Sequence, residues 1–312
     1  MKVTIGIPTY NQGAFIEEAV RSALAQTHAD LEVIVADDAS DDITEEILKP
    51  YLADARFVYK RNATNLGRVS NYRHLLYDLS TGDWYVNMDG DDFYIDRDFI
   101  KNAVELIDRH PETVAIFADC EKFEEGVDVK AVFRSGYVNG ELINGLQFLT
   151  DVQSQKANPS HLATVYNRKQ AMAIGFYSLN VMSTDFESLY RLALHGPFVY
   201  LKGVVGVWRI HAHNMNSVKT LNDCIQNINL THSVAAYGAK QGIRLKEWKH
   251  GMQRILIASI LLEAKRDRRL TYSFFKLFKL YPGATSRLLL NLPSILKHLK
   301  PQASHRPLRT CR

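Results

Sequence analysis

WYVNMDGDDFY, residues 84–94, runs an apolar segment straight into Asp89, Asp91 and Asp92. Three carboxylates within four residues repel one another, and each raises its neighbours' pKa unless something positive compensates. A solvated acidic turn is the plain reading of such a cluster taken alone. A second stretch argues against it. LEVIVADDASDD, residues 31–42, is a short apolar run without alternation, as expected for a strand buried on both faces, and it too ends on acids, Asp37 and Asp38.

Outward from these stretches, strands alternate with helices. KVTIGI reads as a first strand closed by Pro8. A helix follows from about Gly13, with Phe15, Ile16, Ala19, Val20, Ala23 and Leu24 recurring on one face. Ser40 or Asp41 is placed to cap a helix over ITEEILKPYL. RFVYKR is a third strand, Asn65 and Gly67 mark a turn, and VSNYRHLLYDL is helical. DRDFIKNAVELIDRH is a further helix and TVAIFADC a further strand. This order predicts an α/β fold with a mainly parallel sheet flanked by helices. Ligands of such sheets bind beyond the carboxyl ends of the strands, so both acidic clusters should face one crevice.

The first strand-to-helix turn lacks GxGxxG, and no GxxxxGK[ST] occurs, which weakens dinucleotide and P-loop readings. The turn instead holds Pro8, Thr9, Tyr10 and Asn11, which offer hydrogen-bonding or stacking groups. Carboxylates gathered at strand ends suit a hard cation such as Mn²⁺ or Mg²⁺. Such an ion offsets their repulsion and neutralises charge on a diphosphate leaving group. Gly90 lets the backbone come close to a ligand.

The ordered set PTYN, VIVADDASDD, NLG and GDWYVNMDGDD resembles the family 2 inverting glycosyltransferases of GT-A fold, over roughly residues 1–215. The resemblance implies that Thr9 and Tyr10 flank a nucleotide base and that Asp38 bonds a uracil ring or its equivalent. Pro8, Asn11, Asp37, Asn65, Gly67, Asp89 and Arg209 complete the implied nucleotide-sugar set. Asp91 and Asp92 fall to the metal, with the division among the three acids of the DGDD segment left open. MSTDFESLYRLALHGPF, residues 182–198, is similar to the segment that carries the family's catalytic base, which places that role on Asp185. Thr184 stands where the family commonly has another acid, and Glu187 is the reserve candidate. VWRIHAHNMNS is similar to the segment that closes over the diphosphate, which puts His211, at its histidine, with the metal ligands or on the diphosphate, and His213 at a variable position. Ser160, His161 and Arg168 are loose candidates for the acceptor side. The implied reaction is transfer of a hexosyl or N-acetylhexosaminyl group from a nucleotide-diphosphate sugar, with UDP first among the nucleotides. The acceptor is a hydroxyl of a glycan or lipid-linked glycan in bacterial polysaccharide assembly.

The 312 residues divide unevenly by charge. Residues 240–312 hold 17 Lys or Arg against 3 acids, leaving 21 against 31 in residues 1–239. That split predicts an acidic body and a basic tail that meets an anionic partner. We expect a catalytic domain over 1–216, its nucleotide-sugar half about 1–120 and its acceptor half about 121–216. A basic, mostly helical region over 217–312 follows. In that region Phe274, Phe275, Leu277, Phe278 and Leu280 interleave with Lys276 and Lys279, which suits an anionic membrane surface; a helical pair packed on the body is the alternative. ILIASILL, residues 255–262, is too short to span a bilayer, which needs roughly 20 residues. Nothing near the N-terminus reads as a signal peptide. Cys120, Cys224 and Cys311 lack metal spacing and fit a reducing compartment. The expected location is cytoplasmic, with peripheral contact at the inner face of the cell membrane. Three rival readings are weighed. A sugar nucleotidyltransferase should show a Gly-rich phosphate loop. A nucleic-acid module leaves the acids unexplained, and they would repel a phosphate backbone, so no nucleic-acid partner is expected. A GT-A-like binding protein without activity is kept open by Thr184.

Overall fold

The computed structural model describes residues 1–126, 131–212, 219–266, 270–282 and 285. The first half is built as the alternation predicts: β1 (Val3–Thr9), α1 (Ile16–Leu24), β2 (Leu31–Asp37), α2 (Thr44–Leu48), β3 (Phe57–Arg61), α3 (Arg68–His74) and β4 (Trp84–Asn87). Then come β5 (Phe93–Tyr94), α4 (Phe99–Arg109) and β6 (Ala115–Glu124). β1 pairs in parallel with both β2 and β4, and β2 with β3.

The second half adds β7 (Ala131–Phe133), β8 (Leu142–Ile143), α5 (Gly145–Gln153), β9 (Thr164–Asn167), α6 (Arg168–Ala173), α7 (Thr184–Leu192) and β10 (Phe198–Ile210). β9 inserts antiparallel between β4 and β6, and β10 runs parallel to β6. The main sheet order is β3-β2-β1-β4-β9-β6-β10-β5. The sheet is therefore mixed, with its long ladders parallel and antiparallel pieces confined to short strands.

Every residue of β1 and β2 is buried, and the pleat sends alternate side chains to two cores. Val3, Ile5, Ile7, Val33 and Val35 pack with α1 and α4 on one face. Ile34 and Ala36 join α3, α5, α6 and α7 on the other. α4 drives Phe99, Ile100, Ala103, Val104, Leu106 and Ile107 into its core, each large side chain contributing roughly 1.5–3 kcal/mol. Neither Ser40 nor Asp41 caps α2; Asp42 does the work, its Oδ1 accepting from the Thr44 amide at 3.0 Å while Oδ2 accepts from Gly13.

Past β10 lie α8 (Leu221–Asn227), α9 (Asn229–Lys240), α10 (Lys246–Arg266) and α11 (Leu270–Leu280). They do not hang free. Leu230, Val234, Leu245, Trp248 and Met252 belong to the same core as Phe148, Tyr190 and Phe198, so packing is continuous across residue 216. Among the described residues no helix is long and apolar enough to cross a membrane. Phe275, Phe278 and Leu280 are exposed on α11 whereas Leu277 is buried. The side chain of Phe274, His213 and the amphipathic segment after Pro282 lie outside the described residues.

Candidate active site

The parallel pairing of β1, β2 and β4 brings their carboxyl ends side by side, with Thr9 opposite Asp37 and Gly6 opposite Asn87. Backbone bonds extend the alignment: the Met88 amide donates to Gly6 and the Gly90 amide to Pro8. The PTYN turn and the DGDD segment are thus adjacent. A Cβ at Gly90 would lie 2.6 Å from Gln12 Oε1 and 3.0 Å from both Thr9 Oγ1 and Ile16 Cδ1. Glycine is needed for that approach rather than for backbone freedom.

The first acidic pair holds loops. Asp37 is fully buried, accepting from the Ser40 amide at 2.8 Å and Tyr59 Oη at 2.7 Å. Asp38 accepts from the Leu66 and Gly67 amides at 2.7 and 2.9 Å and from Asn62. Asn65 closes the same turn through the Gly67 amide, where φ is +84°. These four residues shape the rim beside Tyr10, which is 49% exposed. Asn11, at φ +52°, is locked to Ser40 and Asp41. Thr9 is buried and donates to Gln12.

The second cluster is gathered as a ligand set. One oxygen from each of Asp89, Asp91 and Asp92 lies within 4.8 Å of the others. Burial, then the Asp91 charge, pushes the Asp89 carboxyl up to about 6; burial and both neighbouring acids push Asp92 well above the usual range. Both shifts include the mutual repulsion anticipated from the sequence, and three such oxygen donors could hold a hard divalent cation. Asp91 Oδ2 meets His211 Nε2 at 2.9 Å, and the His211 ring packs on Phe15 with centroids 4.4 Å apart. Arg209 stands beside this cluster. Its backbone amide donates to Asp92 at 2.9 Å, but its side chain pairs with Glu18 between the rings of Phe15 and Phe93.

Behind Asp89 and Asp92 a cavity of about 430 Å³ opens, lined also by Arg68, His161, Asp185 and Trp208. Asp185 stands in the first turn of α7, and among the described residues no hydrogen bond reaches its carboxylate. Glu187 is a different case. It is fully buried, paired with Arg191 and accepting from Ser233 at 2.6 Å, so it is a packing acid turned away from the cavity. Thr184 is buried, and among the described residues its hydroxyl has no hydrogen-bond partner. Ser160 and His161 do line the cavity. Arg168 does not; its Nε donates to the Leu76 carbonyl at 2.9 Å.

Three residues went unseen in the sequence. Tyr72 Oη donates to Asp89 at 2.8 Å, and Asn87 Nδ2 donates to the same oxygen at 3.1 Å. Arg68, one turn before Tyr72 on α3, is the sole Lys or Arg lining the cavity among the described residues. Burial opposes its charge, but Tyr72, Asp89 and Asp185 outweigh that and hold it cationic. Their i, i+4 spacing was the available signal.

Residues 4–142 match the Glycosyl transferase family 2 model. A protein of Mycobacterium tuberculosis (strain ATCC 25618 / H37Rv) is 28% identical over 211 residues, 66% of this chain and 58% of its own length. The chain thus spans little more than half of that relative. The Staphylococcus aureus poly(ribitol-phosphate) beta-N-acetylglucosaminyltransferase TarS is 30% identical over 118 residues, 37% of this chain and 20% of TarS. The structure of TarS 1–349 with UDP-GlcNAc superposes with a TM-score of 0.60 at 16% identity, covering 89% of this chain and 91% of that one. Mannosyltransferase PcManGT from Pyrobaculum calidifontis, with GDP-Man and Mn²⁺, gives 0.60 at 18% identity, covering 96% and 81%. Residues 4–142 thus match the family 2 glycosyl transferase model, in a chain whose fold is that of the GT-A enzymes.

Proposed function

We propose that the chain is an inverting glycosyltransferase that moves a sugar from a nucleotide-diphosphate sugar, UDP foremost, to a hydroxyl of a glycan or lipid-linked glycan. One observation carries this reading. The Asp185 carboxylate opens on the same cavity as Asp89 and Asp92, and among the described residues it holds no hydrogen bond, as suits a base awaiting its proton donor.

In this reading Asp185 accepts the proton of the acceptor hydroxyl. The oxygen forms its bond to the anomeric carbon from the face opposite the diphosphate, and the carbon–oxygen bond to the diphosphate breaks with its electron pair leaving on phosphate oxygen. Configuration inverts, and no covalent enzyme intermediate forms. Asp89, Asp91, Asp92 and His211 are the residues to hold Mn²⁺ or Mg²⁺, which when bound neutralises charge on the diphosphate. Tyr10 offers its ring face to the nucleobase beside Thr9, and Asp38 contributes through the loop it fastens. The structures of TarS with UDP-GlcNAc and PcManGT with GDP-Man and Mn²⁺ support the class of donor and cation. The acceptor side is formed by Asp185, His161 and the aromatic wall of Phe133, Phe186 and Trp208. Phe275 and Phe278 beside Lys276 and Lys279 on α11 suit peripheral contact with an anionic membrane.

Calorimetric titration of UDP, GDP and dTDP with and without Mn²⁺ tests the donor site. One nucleotide should bind in a Mn²⁺-dependent manner, and Asp91→Ala should remove that dependence. Asp185→Asn should keep nucleotide affinity yet lose at least about 100-fold in sugar transfer. Folded protein that binds none of the three would overturn the reading.

A further inference from the structure

The three residues that lead into α7, the helix that carries Asp185, are gripped from two directions. From α3, Arg68 Nη2 donates to the carbonyl oxygens of Val181 at 3.0 Å and Met182 at 2.9 Å. From the last residue of α8, Asn227 Oδ1 accepts from the Ser183 amide at 2.8 Å while its Nδ2 donates to Ser183 Oγ at 3.0 Å. Ser183 is the N-cap of α7, but its hydroxyl makes no capping bond to the helix. A serine there ordinarily satisfies an orphan amide of the first turn; this one is turned to Asn227 instead. Asn227 is 7% exposed, so the exchange takes place out of water. One turn further along, Ser233 of α9 bonds Glu187. The start of α7 is thus held by the nucleotide half on one side and by the helical region on the other, and Asn227 lies well beyond the residues matched by the family.

We propose that Arg68 and Asn227 are positioning residues for Asp185, and that the helical region after β10 is through Asn227 a working part of the active site. This rests on Asp185 being the base. Four bonds to rigid elements fix where the first turn of α7 begins, and so the reach of Asp185 into the cavity. Misplacement of a reacting group by about 1 Å costs up to about 100-fold in rate.

The test uses the full chain with Asn227→Ala, Asn227→Asp and Arg68→Lys, read in three ways: hydrogen–deuterium exchange over residues 181–187, UDP affinity with Mn²⁺, and UDP release from UDP-GlcNAc. Asn227→Ala should exchange at least about 10-fold faster over that segment and release UDP about 10-fold or more slowly, with UDP affinity changed less than about twofold. Asn227→Asp, which keeps acceptors for both Ser183 groups, should recover protection and most of the rate. Arg68→Lys keeps the charge but not the two-carbonyl fork, and should resemble Asn227→Ala. Unaltered exchange in Asn227→Ala, an unaltered rate, or loss of UDP affinity in step with rate overturns the proposal. Faster exchange in a protein whose wild type shows no Asp185-dependent turnover with UDP-GlcNAc or GDP-mannose strikes the reading of Asp185 as base instead.

Discussion

His161 faces Asn87 Nδ2 through Nδ1 at 3.3 Å and Tyr177 Oη through Nε2 at 2.7 Å. Because the Asn87 amide nitrogen can only donate, Nδ1 accepts and the ring proton sits on Nε2, bonded to Tyr177. Burial then lowers the imidazole to about 4, with the Asp185 charge opposing and Arg68 assisting. The folded state therefore binds fewer protons than the unfolded chain between about pH 6.5 and 4, so stability falls as pH falls through that window. We expect thermal melts of the wild type to lose more stability between pH 7 and 5 than those of His161→Gln. The difference should be on the order of 1–2 kcal/mol, and equal losses would contradict the assignment. Gly90 supports a second expectation at this scale. Ala there forces Gln12 off Thr9, because its Cβ would come within 2.6 Å of Oε1. That should cost roughly 1–2 kcal/mol of stability and weaken Mn²⁺-dependent nucleotide binding. Chemical melts and calorimetry on the same variant check both effects.

Elements explain which parts were legible in the sequence. β1, β2 and β4 announce themselves as apolar runs that stop on polar residues, since a strand buried on both faces carries no alternation to confuse. Their shared direction then puts Thr9, Asp38 and Asp89 at one edge with no further information. β5, β8 and β9 are two to four residues long, too short for a period, and exist because partners distant in sequence hold them. β10 is long but its register with β6 shifts between Leu201 and Gly206, which breaks its pattern. Arg209 lies near the end of the same strand. Its neighbour Trp208 lines the cavity, and alternation along the strand sends Arg209 to the other face, toward α1. The roles of Glu187 and Asp185 were likewise unreadable from spacing, because only the helix's rotation on the sheet decides which acid meets the cavity. That rotation rests on a close contact: a Cβ at Gly145, where α5 begins, would lie 1.6 Å from the carbonyl oxygen of Ala193, just past α7. Backbone on both sides leaves no flexible group to yield. Gly145→Ala should therefore cost roughly 3 kcal/mol and lower activity by displacing α7, measured by denaturant midpoint and turnover. A wild-type midpoint would show that α5 can retreat without penalty.

At the scale of the whole molecule, the acidic body and basic tail divide by charge but not by packing. Trp248 Nε1 donates to the Leu149 carbonyl at 3.1 Å, Gln153 returns a bond to the Trp248 carbonyl at 2.8 Å, and the Trp248 ring meets Tyr190 of α7 edge-on. Leu230, Val234, Leu245, Trp248 and Met252 are each less than 10% exposed in the core that α5 and α7 share. Their removal would uncover both sides of that contact at roughly 1.5–3 kcal/mol per large side chain. Five such losses approach the whole net stability of a domain, about 5–15 kcal/mol. A chain ending at residue 216 should accordingly fail to unfold cooperatively, in contrast to the full chain. Near-ultraviolet circular dichroism separates fixed tertiary packing from a collapsed state that keeps only its helices. A native near-ultraviolet spectrum and sharp melt from residues 1–216 would make the helical region an accessory. Loss of both would mean that the surface presenting basic charge and the helix carrying Asp185 are parts of one folding unit.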